Sequence, residues 1–344
     1  MAKIRPRITS EEFEIVQQYR AIKEESNEMG IDHQDVKHGW LKSKNASLFF
    51  ANPDYKNKNH KDFEILKQGI VEIVKDSAPK YPELKRNKCE DGHLLVIDIA
   101  DLHIGKLSSV FETGEEYNQE IAVQRAKEGM QGILDKSKGF EIDMILFVAG
   151  NDILHTDNTR STTTSGTPQD TDGMWYENFL KAKQLYIELL ESLMSIAEVR
   201  VMYNPSNHDF THGFFLMQLI EAYFTNCKHI SFDVNLRHRK AYKYYNNLIG
   251  TTHGDGAKTD NLPILLATEF PLMWSTTERR YIYSHHLHHK VSKDYIGVTF
   301  EALRSPSGTD SWHHRNGYQH APKAVEGFVH HKVHGQVARI THNF

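Results

Sequence analysis

Apolar positions along this chain keep one rhythm at first and another later. Over residues 1–90 they recur at helical spacing. Thr9 and Glu12 form a T-x-x-E capping box ahead of Phe13, Val16, Tyr19 and Ile22, and Gly30 supplies a stop. A second short helix is expected from near Asp32 through Trp40, and a third carries Phe63, Leu66, Ile70, Ile73 and Val74 at helical spacing. The following SAPKYPELKRNK, with its prolines and basic residues, reads as a linker. A small, mostly helical N-terminal domain is therefore expected over residues 1–90, ahead of a larger one over residues 91–344.

In the larger part the apolar residues gather into short continuous runs that end in polar ones, as buried strands do. HLLVIDIAD, DMILFVAGND and EVRVMYNPSNHD are of this kind. They alternate with the helical stretches YNQEIAVQRAKEGMQGIL, WYENFLKAKQLYIELLESLM and FFLMQLIEAYF. KAYKYYNNLIGTTHGDG predicts a hairpin turning at Asn246-Asn247, LPILLATEF a helix, and RRYIYSHH another strand. Strands alternating with helices give a layered α/β fold. Polar clusters recur just past the strand ends, where such folds place their chemistry.

Composition narrows the class. The chain has 344 residues and a net charge of −4, so any nucleic-acid contact must come from local patches. No apolar run approaches the roughly 18 residues of a membrane span, and MAKIRPRITSEEF has no signal-peptide core. With only two cysteines, Cys89 and Cys227, a reduced, cytoplasmic setting without membrane attachment is expected. Histidine is in excess, with 22 copies.

The clusters past the strand ends are, in order, Asp101-Leu-His103, Gly150-Asn-Asp152-Ile-Leu-His155, Ser206-Asn207-His208-Asp209, Thr252-His253-Gly254 and His285-His286-Leu-His288. Each is weak evidence alone. Together they bring carboxylate, amide and imidazole groups from separate strand ends. Such a mixture suits Mn²⁺, Fe or Zn²⁺; it lacks the thiolates of structural zinc and is too nitrogen-rich for Ca²⁺ or Mg²⁺.

This ordered series resembles the signature of the calcineurin-like metallophosphoesterase superfamily: D-x-H, G-D, G-N-H-[DE], H and G-H-x-H, matched over residues 94–290. The resemblance implies a four-layer sandwich, two mixed β-sheets flanked by helices, with residues 291–344 completing the second sheet. It also implies two divalent metal ions, with Mn²⁺ favoured. Asp101, His103 and His288 would hold the first, Asn207, His253 and His286 the second, with Asp152 bridging. His208 would act on the substrate as general acid, oriented by Asp209.

Three positions depart from the pattern. Gly150-Asn151-Asp152 stands where the family has G-D, which leaves Asn151 and Asp152 competing for the bridging place. Asp152 is preferred because D-I-L-H then resembles the D-L-F-H of the nuclease branch, with His155 positioning the phosphodiester. Ser206 and His285 replace glycines, whose usual service at such turns is a positive φ or a close backbone approach. His285 and His289 are read as solvated imidazoles.

The D-x-x-H at Asp152–His155 is similar to the branch containing SbcD-type DNA-repair exonucleases, and most of the chain is similar to phage- and prophage-type phosphoesterases. A DNA nuclease is the favoured expectation. A hydrolase of a small nucleotide, or a non-catalytic binding module on the same fold, are its competitors. The hydroxyl-rich loop at 158–173, with Arg160, reads equally as a phosphate contact or as plain surface. Lys37, Trp40, Lys42 and Lys44 lie in a basic, aromatic stretch, so the N-terminal unit is a candidate for nucleic-acid binding or for assembly into a homo-oligomer. Its aromatics are better read as the core of a small domain. SPSGTDSWHHRNGYQH, holding Trp312 and His313, reads as a surface loop.

Overall fold

The computed structural model describes residues 23, 24, 26, 28, 32, 34, 36, 38–42, 47–51, 78–86 and 89–344. The chain divides into two compact units, Met1–Gly69 and Ile70–Phe344. In the first, Lys23, Glu24, Ser26 and Glu28 are helical. Beyond them the expectation of a helix through Trp40 fails. β1 (His38–Lys42) pairs antiparallel with β2 (Ser47–Ala51), Trp40 opposite Phe49. HGWLK and SLFFA are strand-length apolar and aromatic runs set apart by the Ser-Lys-Asn-Ala stretch, and that spacing favours a hairpin over a helix. The third helix, the capping box itself, Lys37 and Lys44 lie outside the described residues.

In the second unit, residues 78–86 take no regular structure and lie against it. The Tyr81 hydroxyl donates to Glu191 and its ring stacks on Phe224, while Arg86 pairs with Glu198 and donates to the Met194 carbonyl. The regular elements then run β3 (His93–Asp98), α1 (Val110–Thr113), α2 (Gln119–Ser137), β4 (Ile142–Gly150), α3 (Trp175–Met194), β5 (Glu198–Asn204), α4 (Phe210–Tyr223), β6 (Ile230–Asp233), β7 (Arg239–Tyr244) and β8 (Asn247–Thr252). They continue with α5 (Leu262–Glu269), α6 (Pro271–Ser275), β9 (Arg279–Ser284), β10 (Val291–Tyr295), β11 (Val298–Ala302), α7 (Ser311–Arg315), β12 (Ala324–His331) and β13 (Gly335–Asn343). Among the described residues no helix is long and apolar enough to cross a membrane.

Two mixed sheets result, in the orders β13-β12-β3-β4-β5-β6 and β10-β11-β9-β8-β7. β3 to β6 are mutually parallel, as are β8, β9 and β11. The sheets pack face to face through Val96, Leu146, Val148 and Phe328 on one side and Tyr244, Ile249 and Tyr283 on the other. α2 covers β12 and β13, α3 and α4 cover β5 and β4, and Leu262 and Leu266 of α5 cover the outer face of the second sheet. This is the four-layer arrangement that the sequence implied.

Two details differ from expectation. Residues 291–344 do not all join the second sheet: β10 and β11 do, but β12 and β13 flank β3 in the first. Every residue of β12 is buried, so the strand needs a partner on each side and a layer on each face. The β7–β8 hairpin turns at Tyr245–Asn246, where Tyr245 takes φ +46°. Asn247 is excluded from the turn because its buried amide donates to the carbonyls of Tyr244 and His331.

His330 lies between the sheets, fully buried, with Nε2 2.9 Å from the Tyr283 hydroxyl and its ring against Tyr281. Burial pushes its pKa down to about 3, so the native form is neutral. The unfolded chain takes up this proton near pH 6.5. The contribution is therefore whole above 6.5 and is lost as the pH falls toward about 3. Between about pH 7.5 and about pH 5, wild-type stability in urea should fall more steeply than that of His330→Gln, by up to roughly 1.4 kcal/mol per pH unit. Identical slopes in the two proteins would remove this assignment.

Candidate metal centre

All five polar clusters follow the C-terminal end of a strand. Asp101 and His103 follow β3, Asn151 and Asp152 follow β4, Ser206 to Asp209 follow β5, His253 follows β8, and His285 to His288 follow β9. Because β3, β4 and β5 are parallel, as are β8 and β9, these ends lie side by side within each sheet. The turns are sharp. Asp101, His103, Asn151, Asp152, His286 and His288 all have φ between 49° and 70°, a region that non-glycine residues occupy only when their surroundings hold them there.

The side chains meet in two groups whose donor atoms lie within 4.8 Å of one another: Asp101 with His103 and His288, and Asp152 with His253 and His286. In the first, Asp101 Oδ1 is 3.3 Å from His288 Nε2, and the Nε2 atoms of His103 and His288 are also 3.3 Å apart. In the second, His253 Nε2 is 3.2 Å from Asp152 Oδ2 and 2.9 Å from Asn207 Oδ1. The groups adjoin at Asp152, whose Oδ2 is also 3.9 Å from His103 Nε2. Asn151 instead has a buried side-chain amide with no hydrogen-bond partner among the described residues, and its backbone carbonyl accepts from the Asp101 N–H. Of the two competitors, it is Asp152 that reaches both groups.

The donor set fits a divalent cation. Asp101 and Asp152 are buried, and their ion-pair partners among the described residues are imidazoles. Among the described residues, the only polar contact of Asp101 Oδ1 is the His288 imidazole at 3.3 Å. Burial opposes a charge on His253, but the Asp152 carboxylate beside it prevails and holds the imidazole up at about 9. A proton thus stands where positive charge is wanted, and a cation would displace it. His103 and His288 are pushed down by burial, His288 to about 4, and so present neutral, ligating rings.

His208 lies beside the first group, its ring 4.6 Å from that of His103 and stacked at 5.2 Å on His155. Its backbone N–H donates to Asp152 Oδ1, and its Nδ1–H donates to the His155 carbonyl at 2.9 Å. That carbonyl, and not Asp209 as expected, orients the ring. The Asp209 carboxylate accepts from the Ser206 hydroxyl at 2.7 Å and from the Leu154 N–H at 2.9 Å. Burial, with the Asp152 charge nearby, pushes Asp209 up to about 7. Ser206 in turn accepts from the Asp152 N–H at 2.7 Å. The residue that replaces glycine therefore fastens the β4 and β5 loops together. His285 is a second correction: it is fully buried, with Nε2 3.2 Å from Asp98 Oδ2, and is no solvated imidazole. His289 is exposed, as expected.

Both groups open into a cleft of about 630 Å³. One wall is the loop carrying Thr163, Ser165, Thr167 and Gln169. Arg160 of the same loop is exposed and lies off the cleft lining. α7 and its flanks also line the cleft, through Asp310, Trp312, His313 and Tyr318, a stretch expected to be mere surface. Asp310 caps α7, a D-x-x-H signal present in the sequence but unread. Trp40 and Lys42 lie on β1 in the other unit.

A further group, Asp91, His93 and His331, sits at the opposite end of β3. There His331 Nδ1 accepts the backbone N–H of Val333 and His334, which leaves Nε2 as the donor to Asp91. An imidazole so committed has no lone pair for a metal.

No family model and no curated protein matches the chain. Solved structures do. Vps29 from Entamoeba histolytica, solved with zinc, is 14% identical, with 72% of this chain and 98% of that one covered at a TM-score of 0.28. An archaeal phosphodiesterase is 7% identical, with 73% and 99% covered at 0.34. A predicted phosphoesterase from Streptococcus pneumoniae is 10% identical, with 73% and 98% covered at 0.30. A likeness at this level carries no activity across.

The Ser206 hydroxyl holds two buried partners. Ser206→Ala should cost about 1–3 kcal/mol, read from urea unfolding, because the Asp152 N–H and the Asp209 carboxylate lose their shared partner. Unchanged stability would show that the hydroxyl does not tie the loops.

Proposed function

We propose that the chain is a divalent-metal-dependent phosphodiester hydrolase acting on DNA. The observation that carries this reading is the convergence of two carboxylates, an amide and four imidazoles from five strand ends onto one cleft. Asp101, His103 and His288 would hold one ion, and Asn207, His253 and His286 the other, with Asp152 between them. Mn²⁺ suits this mixture of oxygen and imidazole donors. When bound, two such cations supply charge stabilisation for a phosphoryl group and acidify water.

The rest falls to the protein's own groups. With its Nδ1–H committed to the His155 carbonyl, His208 has only Nε2 free to give or take a proton in the cleft. That atom is suited to protonate the leaving oxygen. The neutral amide of Asn207 and the imidazoles limit negative charge around an incoming phosphate. The hydroxyls of Thr163, Ser165 and Thr167 on one wall are of the kind that accompany a phosphate backbone. A cleft of about 630 Å³ also suits a mononucleotide ester, the competing substrate.

His208→Ala should lower Mn²⁺-dependent cleavage by about 10²–10⁴-fold. Asp152→Asn should abolish it and reduce the Mn²⁺ retained in equilibrium dialysis, with the circular dichroism of both variants unchanged. Full activity in either variant defeats the assignment. Turnover of nucleotide esters with none of DNA would replace the substrate.

A further inference from the structure

Trp312 and Tyr318 take no part in the metal centre, yet both line its cleft. Their rings stack at 5.8 Å and 29°, while 60% of Trp312 and 62% of Tyr318 stay exposed. Two aromatic side chains that stack on each other and still face solvent leave flat apolar surface unburied beside a polar site. We propose that this pair is a stacking platform for a nucleobase, so that the substrate is a nucleotide or nucleic acid whose base lies along α7. The inference rests on the phosphodiester reading for the place of the phosphate, and deepens it by naming what the phosphate carries.

Three observations support it. The platform is anchored: Asp310 accepts the His313 N–H at 2.8 Å and its Nδ1–H at 2.7 Å, and pairs at 3.0 Å with Lys106, whose side chain is buried. It is close: His313 stacks on His288 at 5.1 Å, and Trp312 meets His313 edge-on at 5.1 Å. Two ring contacts thus lead from a candidate ligand to the platform. It is also chemically selective. Exposed rings recognise a π-face and are indifferent to which base supplies it. The hydroxyls and the glutamine amide that also line the cleft offer hydrogen bonds instead. A phosphate and its base would therefore meet different chemistry across one cleft.

The test separates the base from the chemistry. The full-length protein with Mn²⁺ is titrated calorimetrically with thymidine 5′-monophosphate and with deoxyribose 5-phosphate, which lacks the base. Wild type should bind the nucleotide about tenfold more tightly than the sugar phosphate. Trp312→Ala and Tyr318→Ala should each bring the nucleotide's affinity toward that of the sugar phosphate, and Trp312→Phe should restore most of the difference. Equal affinities in the wild type, or an unchanged nucleotide affinity in Trp312→Ala, overturn the platform. Should Trp312→Ala not fold, Tyr318→Ala decides by the same criterion. The phosphodiester reading fails separately, if wild type with Mn²⁺ does not hydrolyse methyl p-nitrophenyl phosphate, an ester with no base to stack.

Discussion

The buried carboxylates of Asp101 and Asp152 set the terms for everything around them. Taking a carboxylate out of water costs several kcal/mol unless compensating charge and hydrogen bonds surround it. Here the ion-pair partners are imidazoles, and most of those are themselves held neutral by burial. The deficit is one of positive charge at one point, which explains why His253 alone among the ligating rings is held charged. A site of this kind is an expensive way to build a core. It makes physical sense as a receptacle.

That receptacle needs loops that would not hold their shape alone. Six of its residues sit in the left-handed region without being glycine, each at a cost of about 1–3 kcal/mol. What holds them is the framework below: parallel strands end in register, and Gly150, at φ +89°, brings its backbone so close to the Asn204 carbonyl that a Cβ would stand 2.0 Å from it. Asp209 and Ser206 then lock the β4 loop to the β5 loop. Asp157, through Oδ1, accepts the N–H groups of Thr211 and His212 and fixes the start of α4 behind His208. The strain at the site is thus balanced by packing in the sandwich.

Much of this was legible. Buried parallel strands announce themselves as unbroken apolar runs, and the polar residues that end those runs had to emerge at one edge of a sheet. The preference for Asp152 rests on the likeness of D-I-L-H to D-L-F-H, and the geometry adds that the His155 carbonyl meets His208. What could not be read depends on contacts distant in sequence. Nothing local to VEGFVHHKV says that it pairs with β3 and not with β11. His285 looks like its solvated neighbour His289 until Asp98, on another sheet, is seen to face it. Asp209 adjoins His208 in sequence but turns from it, since a buried carboxylate goes where the N–H and O–H donors are. The expected helix from Asp32 ends at Trp40, inside β1, because a strand of five residues is too short to break a helical pattern by its spacing alone.

The substitutions Ser206 and His285 bear on whether the site has decayed. A binding module that had lost its metals would be free to lose the groups that shape the ligand loops. Here both departures do the opposite. Neither residue adopts a positive φ, so neither suffers the strain that a glycine would have avoided. Ser206 gains hydrogen bonds to both loops, and His285 faces a buried aspartate directly beneath the ligand-bearing turn. The departures add support behind the carboxylates and imidazoles they adjoin. A chain that fastens its strained loops in this way, and keeps two buried carboxylates among imidazoles between them, retains a donor set that could hold a cation.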